Sequence, residues 1–161
     1  MRLINEIIVH CTGNTATSKI SLQDIRDFHI HKRGWRDIGY HFVIFADGRV
    51  EKGRPVQLSG AHCKGHNSHS IGIAYIGGIL KDGTPADTRT FKQKNAIIKL
   101  IKELKQAYPS IVRVSGHRDY ANKACPCFDA HAEYQRLEDM RYHFSLLRGC
   151  PPSYSRHTPV G

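Results

Sequence analysis

Four short apolar runs, separated by turn-forming residues, dominate the pattern of hydrophobic and polar positions along the chain. They occupy positions 6–10, 40–45, 70–76 and 111–114, and they are rich in β-branched or aromatic side chains. Such runs are typical of buried strands. After the second run, Asp47-Gly48 is a strong signal for a hairpin turn, and Arg49–Glu51 returns from it. The pattern therefore predicts a sheet with at least one antiparallel pair of strands.

Helix signals alternate with these strands. Ser21 is a suitable N-cap for a helix that begins directly after it, and Gly34 is a suitable end for that helix. Thr90 and Gln93 form a capping-box pattern at the start of a longer helix. Pro109 ends this second helix, because proline cannot continue the hydrogen-bond ladder.

The longer helix is amphipathic. Its core-facing positions are predicted to be Ile97, Ile98, Ile101, Leu104 and Tyr108, and its mostly solvent-facing lysines Lys92, Lys99, Lys102 and Lys105. Asp129 is predicted to cap a last helix that continues through Leu147. Strands alternating with helices predict an α/β fold, with a central mixed β-sheet of about five or six strands flanked by helices in a single domain. We expect the domain to span residues 1–147 and residues 148–161 to form a flexible tail.

The composition adds a strong positive charge. Lysine and arginine number 24 against 14 aspartate and glutamate residues, a formal net charge of +10. This charge favours a polyanionic partner, such as nucleic acid, an anionic membrane surface or a bacterial cell wall, without choosing among them. No apolar run approaches the roughly 18 residues of a membrane span, so membrane insertion is not expected. The first residues read as a strand rather than a signal peptide, so we expect synthesis in the cytoplasm without one.

The five cysteines are irregularly spaced, at Cys11, Cys63, Cys125, Cys127 and Cys150. An odd number without a signal peptide argues against a secreted disulfide framework. A reduced compartment with one metal-ligating thiolate fits this pattern better.

Three potential metal ligands stand out. His117 and Cys125 lie eight positions apart after the fourth strand, and His10 ends the first strand. Two imidazoles and one thiolate are a ligand set that leaves zinc one open position, where it acidifies water and polarises a carbonyl. Spacing alone does not show that distant segments meet. His10 as an ordinary structural histidine and Cys125 as an incidental loop thiol remain open alternatives.

Several short motifs together resemble a known family. In order, they are Val9–Thr12, Gly39–Phe42, Asp47–Glu51, Ser59–His62, Asn67–Gly72 and His117–Asp129. Together they are similar to the zinc N-acetylmuramoyl-L-alanine amidases of the amidase-2 class, shared by phage lysozymes and peptidoglycan recognition proteins. The phage lysozyme-type members of the T-odd coliphages are the nearest in pattern. The resemblance covers roughly residues 4–140 and implies a mixed sheet with helices on its faces.

The resemblance also implies roles for individual residues. His10, His117 and Cys125 match the ligands of one zinc ion, and Tyr40 and Lys123 match two catalytic residues. The implied reaction is hydrolysis of the amide between the lactyl group of N-acetylmuramic acid and L-alanine of the stem peptide. His62 and Asn67 are expected to line the cleft and bind peptidoglycan or a muropeptide. Three other histidines are expected to have no role in the reaction, with His41 structural and His66 and His69 on the surface.

Other functions remain as alternatives. A non-catalytic peptidoglycan-binding module is disfavoured because all five matching residue types are present. Some phage relatives also bind their phage RNA polymerase, so the resemblance permits this second partner by family analogy only. A nucleic-acid binder is disfavoured because no zinc-finger spacing or aromatic stacking motif accompanies the lysines. We expect either a phage or prophage endolysin that reaches the cell wall after release, or an enzyme acting on cytosolic muropeptides.

Overall fold

A computed structural model describes residues 1–134 and residue 137. It contains a five-stranded sheet in the order β4-β3-β5-β1-β7 and a separate two-stranded sheet formed by β2 and β6. The strands are β1 (Glu6–Cys11), β2 (Asn14–Thr15), β3 (Phe42–Ile44), β4 (Val50–Lys52), β5 (Ser70–Tyr75), β6 (Gly78–Ile79) and β7 (Arg113–Gly116). The two main helices are α1 (Leu22–Asp27) and α2 (Phe91–Ala107).

The main sheet is mixed. β1 lies between β5 and β7 and runs parallel to both, while β3 runs parallel to β5 and antiparallel to β4. Side chains alternate between the two faces of a strand, so Ile7 and Val9 of β1 join the core on one face. Glu6, Ile8 and His10 point to the other face. This alternation decides which side of the sheet carries the polar groups of β1.

Helix α2 covers the face of Ile7 and Val9. Thr90 and Gln93 form the predicted capping box, and the helix buries Ile97, Ile101 and Leu104 against the sheet. Two expectations for this helix are corrected. Leu100 is buried while Ile98 is only partly buried, and Lys105 is buried although its position predicted solvent exposure. The buried stripe is thus wider than the apolar spacing indicated, because the aliphatic stem of a lysine can cover the edge of a core.

Helix α1 lies on the opposite side, where Ile25 joins a second core cluster with Val43 of β3. Ser21 and Asp24 form a capping box at its start. The α-helix is shorter than predicted, because a π-helical segment over Phe28–Lys32 follows it before Gly34. Gly34 has a φ of 70°, a conformation that favours glycine at a helix end.

The predicted α/β class with a central mixed sheet is confirmed. The fourth strand begins at Arg113, two residues after the predicted start, and the hairpin at Asp47-Gly48 is present as the β3–β4 connection. No strand was predicted at the positions of β2 or β6. Asp129 accepts a hydrogen bond from the amide of Ala132, and residues 130–134 are helical. The rest of the helix predicted through Leu147, and the tail predicted over 148–161, lie outside the described residues.

Within the described part of the chain, none of the helices combines the length and the apolar character that crossing a membrane requires.

Candidate active site

Three potential metal ligands meet at one edge of the main sheet. His10 lies near the end of β1, His117 directly follows the neighbouring strand β7, and Cys125 lies in the loop after it. Val9 pairs with Gly116 in the parallel register, so the residues that follow them, His10 and His117, lie side by side at the carboxyl ends of the two strands. One ligand atom from each of the three side chains lies within 4.8 Å of the other two. The Sγ of Cys125 is 3.8 Å from Nδ1 of His10.

The donor chemistry of this cluster fits zinc. Burial, followed by the nearby His62, His117 and Lys123, holds the pKa of His10 well below its usual value. Burial and Lys123 also lower the pKa of His117, so both imidazoles are neutral and able to donate a lone pair. Hydrogen bonds with Cys11 lower the pKa of Cys125 and favour its thiolate, and the backbone amide of Cys11 lies 3.3 Å from the sulfur.

A chain of buried hydrogen bonds orients His10. Its Nε2 lies 2.9 Å from Nδ1 of His62, and Nε2 of His62 lies 3.3 Å from the hydroxyl of Ser70. The Ser70 hydroxyl donates in turn to the carbonyl of His66 at 2.6 Å. Because that hydroxyl donates onward, it accepts from His62, which leaves Nδ1 of His62 to accept from Nε2–H of His10. The chain therefore leaves Nδ1 of His10 unprotonated and facing Cys125.

Glycine at position 72 makes room for this arrangement. A Cβ built on Gly72 would lie 2.5 Å from Cγ and Cδ2 of the His62 ring. The amide of Gly72 also donates to Nδ1 of His41 at 3.0 Å. The His62 ring thus packs directly over the backbone of β5, in a space that a side chain at position 72 would fill.

The ligand cluster opens into a cleft of about 650 Å³. Tyr40 and Lys123, the two predicted catalytic residues, both line it, as do Arg33 and Trp35. The Tyr40 ring centroid is 5.4 Å from that of His10. Burial, followed by Cys125 and Cys11, raises the pKa of Tyr40, so its hydroxyl stays protonated and able to donate. Lys123 is exposed on the cleft wall and brings a positive charge to the site.

The two predicted substrate-binding residues also line the cleft, but both bind the protein itself. His62 is buried, with both ring nitrogens in the chain from His10 to Ser70. The Oδ1 of Asn67 accepts from the backbone amides of His62 and Cys63, both at 2.9 Å. No pattern in the sequence predicts these internal contacts, because the partners are set by how the loop folds.

Among the other histidines, His41 is buried between Gly72 and the carbonyl of Leu58, as expected for a structural residue. His66 and His69 were expected on the surface. Both side chains are partly exposed, and both also lie against the carboxylate of Glu6, a contact that no pattern in the sequence predicted. Sequence analysis also missed His29, which lines the cleft and packs against Trp35 with ring centroids 4.7 Å apart.

Two imidazoles and a thiolate at the base of an open cleft, beside a protonated tyrosine and a lysine, are a site typical of metal-dependent amide hydrolases. Comparison with known proteins agrees with this class. A family model described as N-acetylmuramoyl-L-alanine amidase matches residues 1–128. The chain belongs to this family and is an amidase that cleaves peptidoglycan.

Individual relatives are similar over most of their length. The endolysin of Klebsiella phage KP32 is 41% identical over 134 residues, which is 83% of this chain and 87% of the endolysin. The endolysin of Escherichia phage T7 is 36% identical over 132 residues, which is 82% of this chain and 86% of that one. The solved structure of the amidase LysC from Clostridium intestinale URNW has a TM-score of 0.71 at 30% identity and covers 84% of each chain. The predicted resemblance to phage lysozyme-type amidases is confirmed.

Proposed function

We propose that this amidase hydrolyses the bond between the lactyl group of N-acetylmuramic acid and L-alanine with one zinc ion held by His10, His117 and Cys125. The observation that carries the proposal is the convergence of these three donors, from three separate segments, to within 4.8 Å. Zinc bound there supplies a Lewis acid that acidifies water and polarises the scissile carbonyl. Three protein ligands leave a coordination position for this chemistry.

The remaining groups of the site prepare the reaction. The hydrogen-bond chain through His62 and Ser70 fixes the ring of His10, so the ligand is oriented before any ion binds. The thiolate of Cys125 is stabilised by the amide of Cys11 at 3.3 Å. These contacts lower the reorganisation that binding and reaction would otherwise require.

Tyr40 and Lys123 are proposed to act on the reacting groups. Tyr40 is half-buried beside His10 and keeps its proton, so its hydroxyl can orient the attacking water or donate to an oxygen of the substrate. The ammonium of Lys123 stands on the exposed wall of the same cleft, where it stabilises negative charge that develops on the carbonyl oxygen. The lysine needs no fixed partner for this role, because its charge acts over the width of the cleft.

The cleft suits an anionic polymer. Its walls carry the cationic side chains of Arg33, Lys64 and Lys123, and the whole chain has a formal net charge of +10. Stem peptides of the cell wall carry free carboxylates, which these cations attract. This charge is compatible with peptidoglycan, the substrate that the family match supports, and we propose that the cell wall is where the enzyme acts.

One experiment tests the proposal directly. Zinc content and muropeptide products are measured by mass spectrometry for the unmodified chain, with and without chelator, and for Cys125→Ser. We expect the unmodified chain to hold zinc and release peptides that begin with a free L-alanine amine, and chelator to stop the release. Cys125→Ser should lose the zinc of this ligand cluster and most of the peptide release while remaining folded. Cys63→Ser is the matched control, because Cys63 lines the same cleft without belonging to the ligand cluster. Unchanged zinc and rate in Cys125→Ser would show that the ligand assignment is wrong.

A further inference from the structure

A second cluster of metal-binding side chains lies away from the cleft ligands. It consists of Glu6, His66 and His69, whose ligand atoms all lie within 4.8 Å of one another. Oε2 of Glu6 is 4.0 Å from Nδ1 of His66 and 3.6 Å from Nε2 of His69. Glu6 and His10 are four residues apart on the same face of β1, which places their Cα atoms about 13 Å apart. The second cluster is therefore a separate feature of the molecule.

Glu6 is held so that one oxygen faces the two histidines. Its side chain is only 5% exposed, and a buried carboxylate needs partners for its charge. Oε1 accepts hydrogen bonds from the hydroxyls of Ser115 and Tyr120, and Nε of Arg113 lies 3.7 Å away. Both of these hydrogen bonds are made to Oε1, and no hydrogen bond between described residues is made to Oε2. The second oxygen thus points at two imidazoles that are too distant to bond it directly.

His66 supplies an independent indication of a ligand. Its Nδ1 is buried and has no hydrogen-bond partner among the described residues. Burying a nitrogen without a hydrogen-bond partner costs free energy, and a bound ion is one explanation for such an atom. The ring is also fixed in place, since Tyr120 stacks on it with centroids 3.7 Å apart and an interplanar angle of 20°. The unpartnered nitrogen lies 4.0 Å from the carboxylate of Glu6.

We propose that Glu6, His66 and His69 form a second binding site for a divalent transition-metal ion such as zinc. Two imidazoles and one carboxylate are an established ligand set for such ions. Donor separations of 3.6 and 4.0 Å need only a small contraction to reach a common ion at about 2.0–2.2 Å from each. Ser115 and Tyr120 already hold the opposite oxygen of the carboxylate, as outer partners do in metal sites. His66 and His69 are 29% and 34% exposed, so an ion can enter from solvent.

The site has a structural consequence for the cleft. Asn67–His69 forms a short 3₁₀ turn, and Asn67 holds the backbone of His62 and Cys63 through two hydrogen bonds. An ion shared by Glu6, His66 and His69 ties this turn to the central strand β1. It therefore stabilises the segment that carries His62, without touching the ligands of the active site.

Metal stoichiometry tests this inference independently of hydrolysis. Metal-free protein is titrated with Co²⁺, and bound metal and visible and near-ultraviolet absorption are measured for four proteins: the unmodified chain, Cys125→Ser, His69→Gln and the double variant. We expect the unmodified chain to bind two ions, one of them with the charge-transfer absorption of a cobalt–thiolate bond. His69→Gln should lose one ion and keep that absorption. Cys125→Ser should lose the absorption and still bind an ion, which the double variant loses.

Controls separate this result from other causes. His31→Gln removes an exposed histidine outside both clusters and should leave the stoichiometry unchanged. His66→Gln should reproduce the effect of His69→Gln, which covers the case in which one of the two variants fails to fold. If neither histidine variant changes the number of bound ions in either background, the second site does not exist and Glu6 is simply a hydrogen-bonded carboxylate. Failure of the proposed active-site zinc would instead remove the thiolate absorption from the unmodified chain and leave the other ion in place.

Discussion

Removing the imidazole of His62 tests whether the hydrogen-bond chain behind His10 prepares the metal site. In the structure, Nδ1 of His62 lies 2.9 Å from Nε2 of His10, and both side chains are buried. His62→Ala leaves the Nε2–H of His10 without an acceptor in a place that water reaches poorly. The ring of His10 is then free to rotate or to change its tautomer. Both changes reduce the time that Nδ1 spends facing Cys125.

The size of the effect follows from two contributions. A buried donor left without a partner costs about 1–3 kcal/mol, which should appear as a loss of stability in the metal-free protein. Loss of the group that orients a metal-ligating histidine lowers metal affinity by about 10–100-fold. We therefore expect His62→Ala to bind zinc about 10–100-fold more weakly, with a lower unfolding temperature both with and without zinc.

Competition with a chromophoric chelator measures the zinc affinity, and thermal unfolding measures the stability. His62→Asn is the conservative variant, because its side-chain oxygen can accept the hydrogen bond of His10 from nearly the position of Nδ1. It should recover most of the affinity that alanine loses. If His62→Ala instead binds zinc as tightly as the unmodified chain and only KM for muropeptides rises, the orienting role is refuted. His62 would then bind substrate, as the sequence predicted.

Three further predictions address other parts of the molecule. Gly72→Ala should destabilise the fold by about 1–3 kcal/mol in chemical denaturation, because its Cβ would lie 2.5 Å from the ring of His62. Lys123→Ala should keep its zinc but lower kcat by about 10²–10³-fold, since it removes a charge that stabilises the transition state. The third prediction concerns Asp87. Burial raises the pKa of its carboxyl, but hydrogen bonds and charge from Arg89 outweigh burial and hold that pKa below its usual value. The ionised carboxylate of Asp87 therefore contributes about 1 kcal/mol to the free energy of unfolding at neutral pH, and this contribution is lost as pH falls below about 4. Asp87→Asn should abolish this pH dependence.

Each of these predictions has its own control or contradictory outcome. Lys102→Ala removes an exposed lysine of α2 and should leave kcat unchanged, so an equal fall in both variants would point to overall charge instead. For Gly72→Ala, an unfolding free energy equal to that of the unmodified chain would mean that His62 moves aside at no cost. For Asp87→Asn, an unchanged slope of stability between pH 3 and pH 5 would show that the pairing with Arg89 contributes nothing measurable.

Local physical chemistry allowed much of the fold to be predicted from the sequence. The N-cap at Ser21 and the capping box at Thr90 depend only on residues within three positions of each other, and both are present in the structure. The hairpin at Asp47-Gly48 likewise depends on the backbone preference of two neighbouring residues. The predicted ends of helices and strands are wrong where they depend on contacts with residues distant in the sequence. The α-helix after Ser21, for example, gives way to a π-helical segment from Phe28, where side chains pack against the cleft.

Part of the chemistry of the active site could also be predicted from the sequence. His10 ends an apolar strand, and strand alternation separates its face from that of Cys11, so the residue types of the donors were visible in the sequence. The meeting of His10, His117 and Cys125 was not, because it requires the parallel register in which Val9 pairs with Gly116. No local pattern encodes that register.

The sequence by itself determined the strands of the main sheet, the starts of the two main helices, the excess of positive charge and the kinds of donor atom available. Only the tertiary structure decided which donors share a neighbourhood. It paired His10 with His62, buried Lys105 at the edge of the core and gathered His66 and His69 around Glu6. The physical reason is the range of the forces involved. Backbone preferences and side-chain periodicity act over a few residues, whereas burial and hydrogen bonding between distant segments depend on how the whole sheet is assembled.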